Sequence, residues 1–290
     1  MDPTTPAPPS TPDQPTFWNE IGGPRWVRFQ ERLDAQIRVF GQSLMERLAI
    51  APDERVLDIG CGCGDTTLEI ARAQGSRGSV VGVDVSSVML DRARLRLAAE
   101  PGLRATFVHA NVETDPLPDG PFDVAYSRFG VMFFHDPVAA FRRIRSTLRP
   151  GGRLGFVCWQ GLEDNPWLRI PMEAARSLVT FPAPSAPNAP GPMAFADPAR
   201  ARQVLADAGF DTIELQPCPH EVSLGGDGSL EGAVEIAMEM GPLAAALRQS
   251  PGADRAAASD AVRAALAQHS TARGVWLPAL AWIVTARGSV

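Results

Sequence analysis

The 290-residue chain contains no lysine; all 27 of its basic residues are arginine. Schiff-base chemistry, a lysine-anchored pyridoxal group and a phosphate-binding P-loop are thereby excluded. There is one tyrosine, Tyr126, and its place inside a strand favours packing over chemistry. The four cysteines are Cys61, Cys63, Cys158 and Cys218. Cys61 and Cys63 form a C-x-C without the further ligands a zinc site requires, so no metal is expected. No signal-peptide pattern and no apolar run of about eighteen residues occurs. The expectation is a cytoplasmic protein with reduced thiols and no membrane partner. A net charge of −6 argues against nucleic acid as a partner. The cluster Arg142, Arg143, Arg145 and Arg149 reads as a solvated helix face.

What is present is concentrated in one stretch, Val56-Leu57-Asp58-Ile59-Gly60-Cys61-Gly62-Cys63-Gly64-Asp65. A short apolar run ends in three glycines at alternate positions, and an amphipathic segment follows from Thr66 to Gln74. This order predicts a buried strand, a tight turn and a helix. Without a Cβ, each glycine can take positive φ and let a ligand approach the backbone. The free N–H groups of the following helix suit an anionic group such as a carboxylate. A second apolar run, Val80-Val81-Gly82-Val83-Asp84, ends in an acid twenty residues after the last glycine. A carboxylate there suits the two hydroxyls of a ribose, so the pair indicates a nucleoside-containing cofactor. A dinucleotide turn is usually G-x-G-x-x-G. The spacing here is G-x-G-x-G with an acid two residues ahead, which disfavours a nicotinamide dehydrogenase.

That turn resembles motif I of the class I S-adenosylmethionine-dependent methyltransferases. Four later pieces continue the resemblance in order: Gly82-Val83-Asp84-Val85-Ser86, Ala110-Asn111-Val112, Phe122-Asp123-Val124-Ala125-Tyr126-Ser127 and Leu148-Arg149-Pro150-Gly151-Gly152-Arg153-Leu154. They look like the ribose-binding strand end, the adenine-side loop, the fourth strand and the turn into the fifth. The region spans roughly residues 50–160 and is most similar to the group of ubiquinone/menaquinone-type C-methyltransferases and natural-product methyltransferases. The resemblance implies a Rossmann-like, doubly wound α/β fold. Its sheet would have seven mostly parallel strands in order 3-2-1-4-5-7-6, with an added helical cap. The implied cofactor is S-adenosyl-L-methionine.

Along the chain, residues 1–15 hold six prolines and read as a disordered tail. Residues 16–50 form an N-terminal helical cap, with Trp26, Phe29, Leu33, Ile37, Phe40, Leu44 and Leu48 on one face of a single long helix from Phe17. Asp34, Gln36 and Arg38 fall on its other faces. Trp18 and Trp26 either close over adenosine or substrate, or pack on the sheet. Residues 51–160 form the cofactor core, and 161–210 a lid insertion and helix. Residues 211–290 supply the last two strands around a helical insertion at 225–275. Both insertions and the N-terminal helix would converge on the carboxyl edge of the sheet, where ligands bind.

Methyl transfer needs alignment and water exclusion more than a conspicuous catalytic motif. The resemblance assigns Gly60, Cys61, Gly62 and Gly64 to the methionine end, with Asp58 accepting from its ammonium group. It assigns Asp84 to the ribose, Val85, Asn111 and Val112 to the adenine, and Ser127 and Arg128 to the vicinity of the sulfonium. His135, after the fourth strand, is the candidate general base, or else a turn histidine beside the helix cap at Asp136. Met132, Met172, Met193, Met238 and Met240, with Phe129, Phe133, Phe181 and Phe195, either line an apolar pocket or belong to the core. The expected partner is a small, largely apolar metabolite, and the expected state a monomer or homodimer. Two alternatives stay open: an S-adenosylmethionine-binding enzyme that does not transfer methyl, and a non-catalytic cofactor-binding protein.

Overall fold

The structure is a computed structural model that describes residues 13–182, 189–250 and 252–288. The N-terminal segment begins with a one-turn helix α1 (Gln14–Thr16), a π-helical turn Phe17–Ile21, and helices α2 (Gly22–Arg28) and α3 (Gln30–Leu48). The single helix expected from Phe17 is thus interrupted. Gly22-Gly23-Pro24 punctuates it, because proline lacks the N–H a continuing helix needs. Phe29, at φ −106° and ψ 14°, marks the second break. The tail expected at 1–15 lies outside the described residues up to position 12, while Asp13 caps α1 and Gln14 and Pro15 lie within it.

The core alternates strand and helix. Its elements are β1 (Arg55–Ile59), α4 (Asp65–Gln74), β2 (Ser79–Asp84), α5 (Ser87–Ala98), β3 (Ala105–His109), β4 (Phe122–Arg128), α6 (Pro137–Thr147) and β5 (Leu148–Trp159). Helix starts follow side-chain caps. Ser86 accepts from the Met89 N–H at 3.3 Å, and Asp136 accepts from the Ala139 N–H at 3.0 Å ahead of Pro137. Helix α6 stops at Thr147, before the Pro150-Gly151-Gly152 run, and residues 148–152 join the fifth strand.

The remaining elements are α7 (Pro166–Ala174), α8 (Pro198–Asp207), β6 (Phe210–Ser223), α9 (Leu230–Glu239), α10 (Gly241–Gln249), α11 (Arg255–Ala267), β7 (Ser270–Thr271) and β8 (Gly274–Gly288). The sheet order is β3-β2-β1-β4-β5-β8-β6, with β7 a two-residue hairpin partner of β8. The expected order is therefore observed, with one extra short strand. β8 lies antiparallel between β5 and β6. It begins at Gly274, five residues before the strand expected at 279–286, because Trp276 to Pro278 pair with Glu221 to Ser223.

Among the described residues two apolar clusters form the core. One surrounds the sheet and includes Phe40, Leu57, Phe122, Phe141 and Phe156. The other joins Phe29 and Leu33 to helices α9–α11 and includes Ile236, Leu243, Val262 and Leu277. Trp26 and Trp167 pack against both.

Candidate active site

β1, β2 and β4 are buried parallel strands, so their carboxyl ends reach one edge together. At that edge Gly60, Gly62 and Gly64 all have positive φ (66°, 55° and 79°). A Cβ on Gly62 would stand 2.8 Å from the Met89 Cε, and one on Gly60 would stand 2.7 Å from the Gly130 Cα. The turn is therefore closed to any larger residue. The carboxylate of Asp84 locks the turn to β2. Its Oδ2 accepts from the Gly62 N–H at 2.8 Å and its Oδ1 from the Ser86 N–H at 2.8 Å. Burial pushes the Asp84 carboxyl above its ordinary range against the pull of these N–H groups.

Asp58 lies beneath the turn, fully buried. Its Oδ2 accepts from the Thr66 and Thr67 hydroxyls, each at 2.6 Å. Its Oδ1 has no hydrogen-bond partner among the described residues. Burial raises its pKa from 3.8 to about 6, although both threonines pull it down. The thiol of Cys63 is pushed up to about 12 by burial, and that of Cys61 also well upward. Both are inert small residues of the turn. No cluster of side chains suited to a metal occurs among the described residues.

One cavity runs along this edge. It is lined by Gly60, Cys61, Gly62, Asp84, Val85, Asn111 and Val112, all expected at the cofactor. Arg128 lines it too. Asp58, Gly64 and Ser127 stand behind the lining. Ser127 is fully buried and its hydroxyl donates to the Ile59 carbonyl at 2.7 Å. His135 is exposed and outside the lining, in the turn before the α6 cap. Of the expected pocket residues, Met132, Met240, Phe129 and Phe133 line the cavity. Phe195 and Met193 instead pack into the sheet cluster, and Met172, Met238 and Phe181 into the cap cluster.

Arg128 is held by a closed ring of charges that the hydrophobic pattern of α3 conceals. It donates to Asp34 Oδ1 at 3.1 Å and to Asp65 Oδ2 at 3.0 Å. Arg96 donates to Asp34 Oδ2 at 3.1 Å, to Asp65 Oδ1 at 2.9 Å and to the Cys63 carbonyl at 2.9 Å. The ring therefore joins α3, α4, α5 and the end of β4 to the glycine turn. Asp34 and Gln36, on faces of the helix other than its apolar stripe, are buried as well. Asp34 has its charge partners here, and Gln36 accepts from the Gly225 N–H at 3.2 Å. Burial pushes the Asp34 carboxyl up, while Arg128, Arg96 and Arg38 outweigh burial at Asp65 and hold it low. Hydrophobic spacing carries no trace of partners 62 and 94 residues away.

The N-terminal segment straps the end of β2. Asn19 Nδ2 donates to the Val85 carbonyl at 3.0 Å, and its Oδ1 accepts from the Ser87 N–H and hydroxyl, each at 2.9 Å. Trp18 meets Phe133 edge to face at 5.0 Å. Trp18 and Trp26 both line the cavity and pack edge to face on each other at 6.3 Å.

Beyond Arg128 the wall becomes aromatic. Phe129 has a φ of 63°, a left-handed conformation that costs a side-chain-bearing residue on the order of 1–3 kcal/mol. Its ring stacks on Trp159 at 4.0 Å and 15°. Trp167 tilts against Trp159 at 5.0 Å, with its Nε1–H donating to Asn165 Oδ1 at 3.0 Å. Trp159 and Trp167 were not singled out as site residues by sequence reasoning. The signal that could have found Trp159 is its place at the carboxyl end of a core strand.

The family model for a methyltransferase domain matches residues 56–152. Aklanonic acid methyltransferase DauC of a Streptomyces species is 37% identical over 118 residues, 40% of this chain and 53% of that protein. The ubiquinone/menaquinone biosynthesis C-methyltransferase UbiE of Shewanella frigidimarina is 35% identical over 119 residues, 40% of this chain and 47% of that protein. The chain thus spans about half the length of these curated relatives. The structure of phosphoethanolamine N-methyltransferase 2 of Haemonchus contortus in complex with S-adenosyl-L-methionine aligns with a TM-score of 0.59 at 16% identity. That alignment covers 98% of this chain and 62% of the other, and it supports the fold. Glycine turn, the Asp84 carboxylate at the end of β2, sheet order and family model agree, and residues 56–152 of the chain match a methyltransferase domain.

Proposed function

We propose that the protein is an S-adenosylmethionine-dependent methyltransferase acting on a small, largely apolar metabolite. One observation carries the reading: a single cavity joins the open glycine turn and the Asp84 carboxylate to an apolar half roofed by the cap helices. The residues present fit the cofactor. The turn's three glycines hold positive φ and bring bare backbone to the cavity, and Asp58 Oδ1, directly behind that lining, is a buried acceptor without a partner among the described residues, which suits an ammonium group on the other side of the turn. When bound, the cofactor supplies a methyl group already activated on a sulfonium.

The chain's residues then have the following roles. Gly60, Cys61, Gly62 and Gly64 shape the seat for the methionine end, with Asp58 beneath it. Asp84 takes the ribose hydroxyls, while Val85, Asn111 and Val112 border the adenine. Ser127 acts indirectly, by holding the Ile59 carbonyl at the base of the turn. Arg128 fixes the turn against α3 through its two aspartates. Strap and cap exclude water from the transfer path. His135 keeps a role only through a movement that brings it to the cavity.

The test is calorimetric binding of S-adenosylhomocysteine, followed by assay of its release from S-adenosylmethionine with candidate acceptors. Binding of the homocysteine product and not of NAD is expected. Tight NAD binding without it overturns the reading.

A further inference from the structure

This inference rests on the methyltransferase reading and deepens it. The cavity runs along the sheet edge from the Asp84 end of β2, past the glycine turn of β1, to Leu224 after β6. β6 closes the side of the sheet opposite β2 and β3. The nucleoside half lies at the Asp84 end, so the acceptor half extends towards β6.

Helix α3 crosses between the two halves. Asp34 and Gln36 stand roughly 160° apart around it, with Leu33 and Ile37 between them. All four line the cavity. Asp34 turns to the charge ring at the glycine turn, and Gln36 turns to the loop after β6. Gln36 is 3% exposed.

The orientation of the Gln36 amide is fixed. A backbone N–H donates to the oxygen of an amide and not to its NH2, so the Gly225 N–H at 3.2 Å claims Oε1 and leaves Nε2 as the other end. Gly225 is gripped from its carbonyl side as well, where Arg32 Nε donates at 2.7 Å from one turn earlier on α3. Its φ is 86°, and a Cβ there would stand 2.7 Å from the Gly232 carbonyl carbon. Nε2 has no hydrogen-bond partner among the described residues, and the space its side chain lines is the cavity. Its neighbours in the lining, Leu33 and Ile37 on α3 and Leu224 beside Gly225, are aliphatic. A ligand entering this end strips water from the amide, and an amide donor buried without a partner is costly. The site therefore favours a ligand that brings an oxygen to Nε2.

That oxygen is uncharged. Arg32 spends its guanidinium on the Gly225 and Gly232 carbonyls and on Glu235, so it offers an anion nothing. Arg128, across the helix, is paired with Asp34 and Asp65. We propose that Gln36 is a specificity-determining residue of the acceptor half: its Nε2 donates to an uncharged carbonyl or hydroxyl oxygen at the end of the acceptor remote from the cofactor.

The experiment uses the full chain saturated with S-adenosylhomocysteine. Cyclooctanone, cyclooctane and cyclooctanecarboxylate are titrated by calorimetry, and the carbonyl stretch of bound cyclooctanone is read by difference infrared spectroscopy. In the wild type the ketone is expected to bind tighter than the carboxylate, with its stretch below the value in hydrocarbon solvent. Gln36→Met should weaken cyclooctanone roughly tenfold, leave cyclooctane and S-adenosylhomocysteine within about twofold, and return the stretch to its hydrocarbon value. Gln36→Glu is the second variant should Gln36→Met fold poorly, because it keeps an oxygen on the Gly225 N–H and removes only the donor. At about pH 8, where its carboxylate is ionised, the infrared shift should again be lost. Equal weakening of ketone and cyclooctane, an unshifted stretch in the wild type, or preference for the carboxylate overturns the proposal. Failure of the wild type to bind S-adenosylhomocysteine overturns the methyltransferase reading instead.

Discussion

Among the described residues Asp58 Oδ1 has no hydrogen-bond partner, and its burial makes the carboxyl sensitive to pH. A folded-state pKa of about 6 against an ordinary 3.8 means that the ligand-free fold disfavours the ionised form. The associated stability is fully present below about pH 4 and is lost as pH rises through 6, by about 3 kcal/mol in all. An ammonium group placed at Oδ1 reverses the preference, because it stabilises the carboxylate. S-adenosylhomocysteine affinity is therefore expected to rise about tenfold between pH 5 and pH 7 and then level off. Burial pushes Asp84 in the same direction, so Asp58→Asn separates the two. If Asp58 holds the ammonium, the pH dependence flattens in that variant; an equally steep curve assigns it elsewhere. At Asp84 the change is simpler. Asp84→Ala removes the clamp on the Gly62 and Ser86 N–H groups together with the acceptor proposed for the ribose, and should weaken binding more than tenfold. An unchanged dissociation constant would remove Asp84 from the site.

Helix α3 enters the site through charge rather than through its apolar stripe. Arg128 is held between Asp34 and Asp65 with its side chain only 7% exposed, and removing one partner of such a pair leaves the others uncompensated. Arg128→Met is expected to destabilise the fold by about 3–5 kcal/mol in urea denaturation. Arg96→Met should cost less, because its side chain is 18% exposed. Similar small losses in both would show that the ring is not structural. The strap is tested by Asn19→Ala, which severs its bonds to Val85 and Ser87. Hydrogen exchange across residues 14–28 should quicken while β1 and β2 keep their protection. The helices and strands of the core were legible in the sequence because each has a local cause: a serine or aspartate cap, a proline at the first turn, an apolar run. The order with β8 between β5 and β6 came from the family resemblance. The glycine turn and Asp84 were legible for the same local reason. The ring of Asp34, Asp65, Arg96 and Arg128 was not, since no spacing rule marks ion pairs formed between distant elements. Nor was the aromatic wall, because Trp159 reads as one more apolar residue of a strand.

The molecule is built as two apolar clusters with the cavity between them. Ile37, Ile59 and Trp159 line it from the sheet cluster, and Leu33, Leu224 and Leu243 from the cap cluster. A ligand in this position touches both clusters and should stabilise them together. With S-adenosylhomocysteine at about a hundred times its dissociation constant, mass action adds roughly 2.7 kcal/mol to unfolding, provided the unfolded chain does not bind it. Because α9 and α10 border the same cavity, their amides should gain protection with those of the glycine turn, although no cap residue belongs to the matched domain at 56–152. Hydrogen exchange measured with and without the ligand decides the point. Protection confined to residues 56–152 would mean that the cap does not respond to the cofactor. Protection that reaches α9 and α10 would mean that cofactor binding also orders the cap helices.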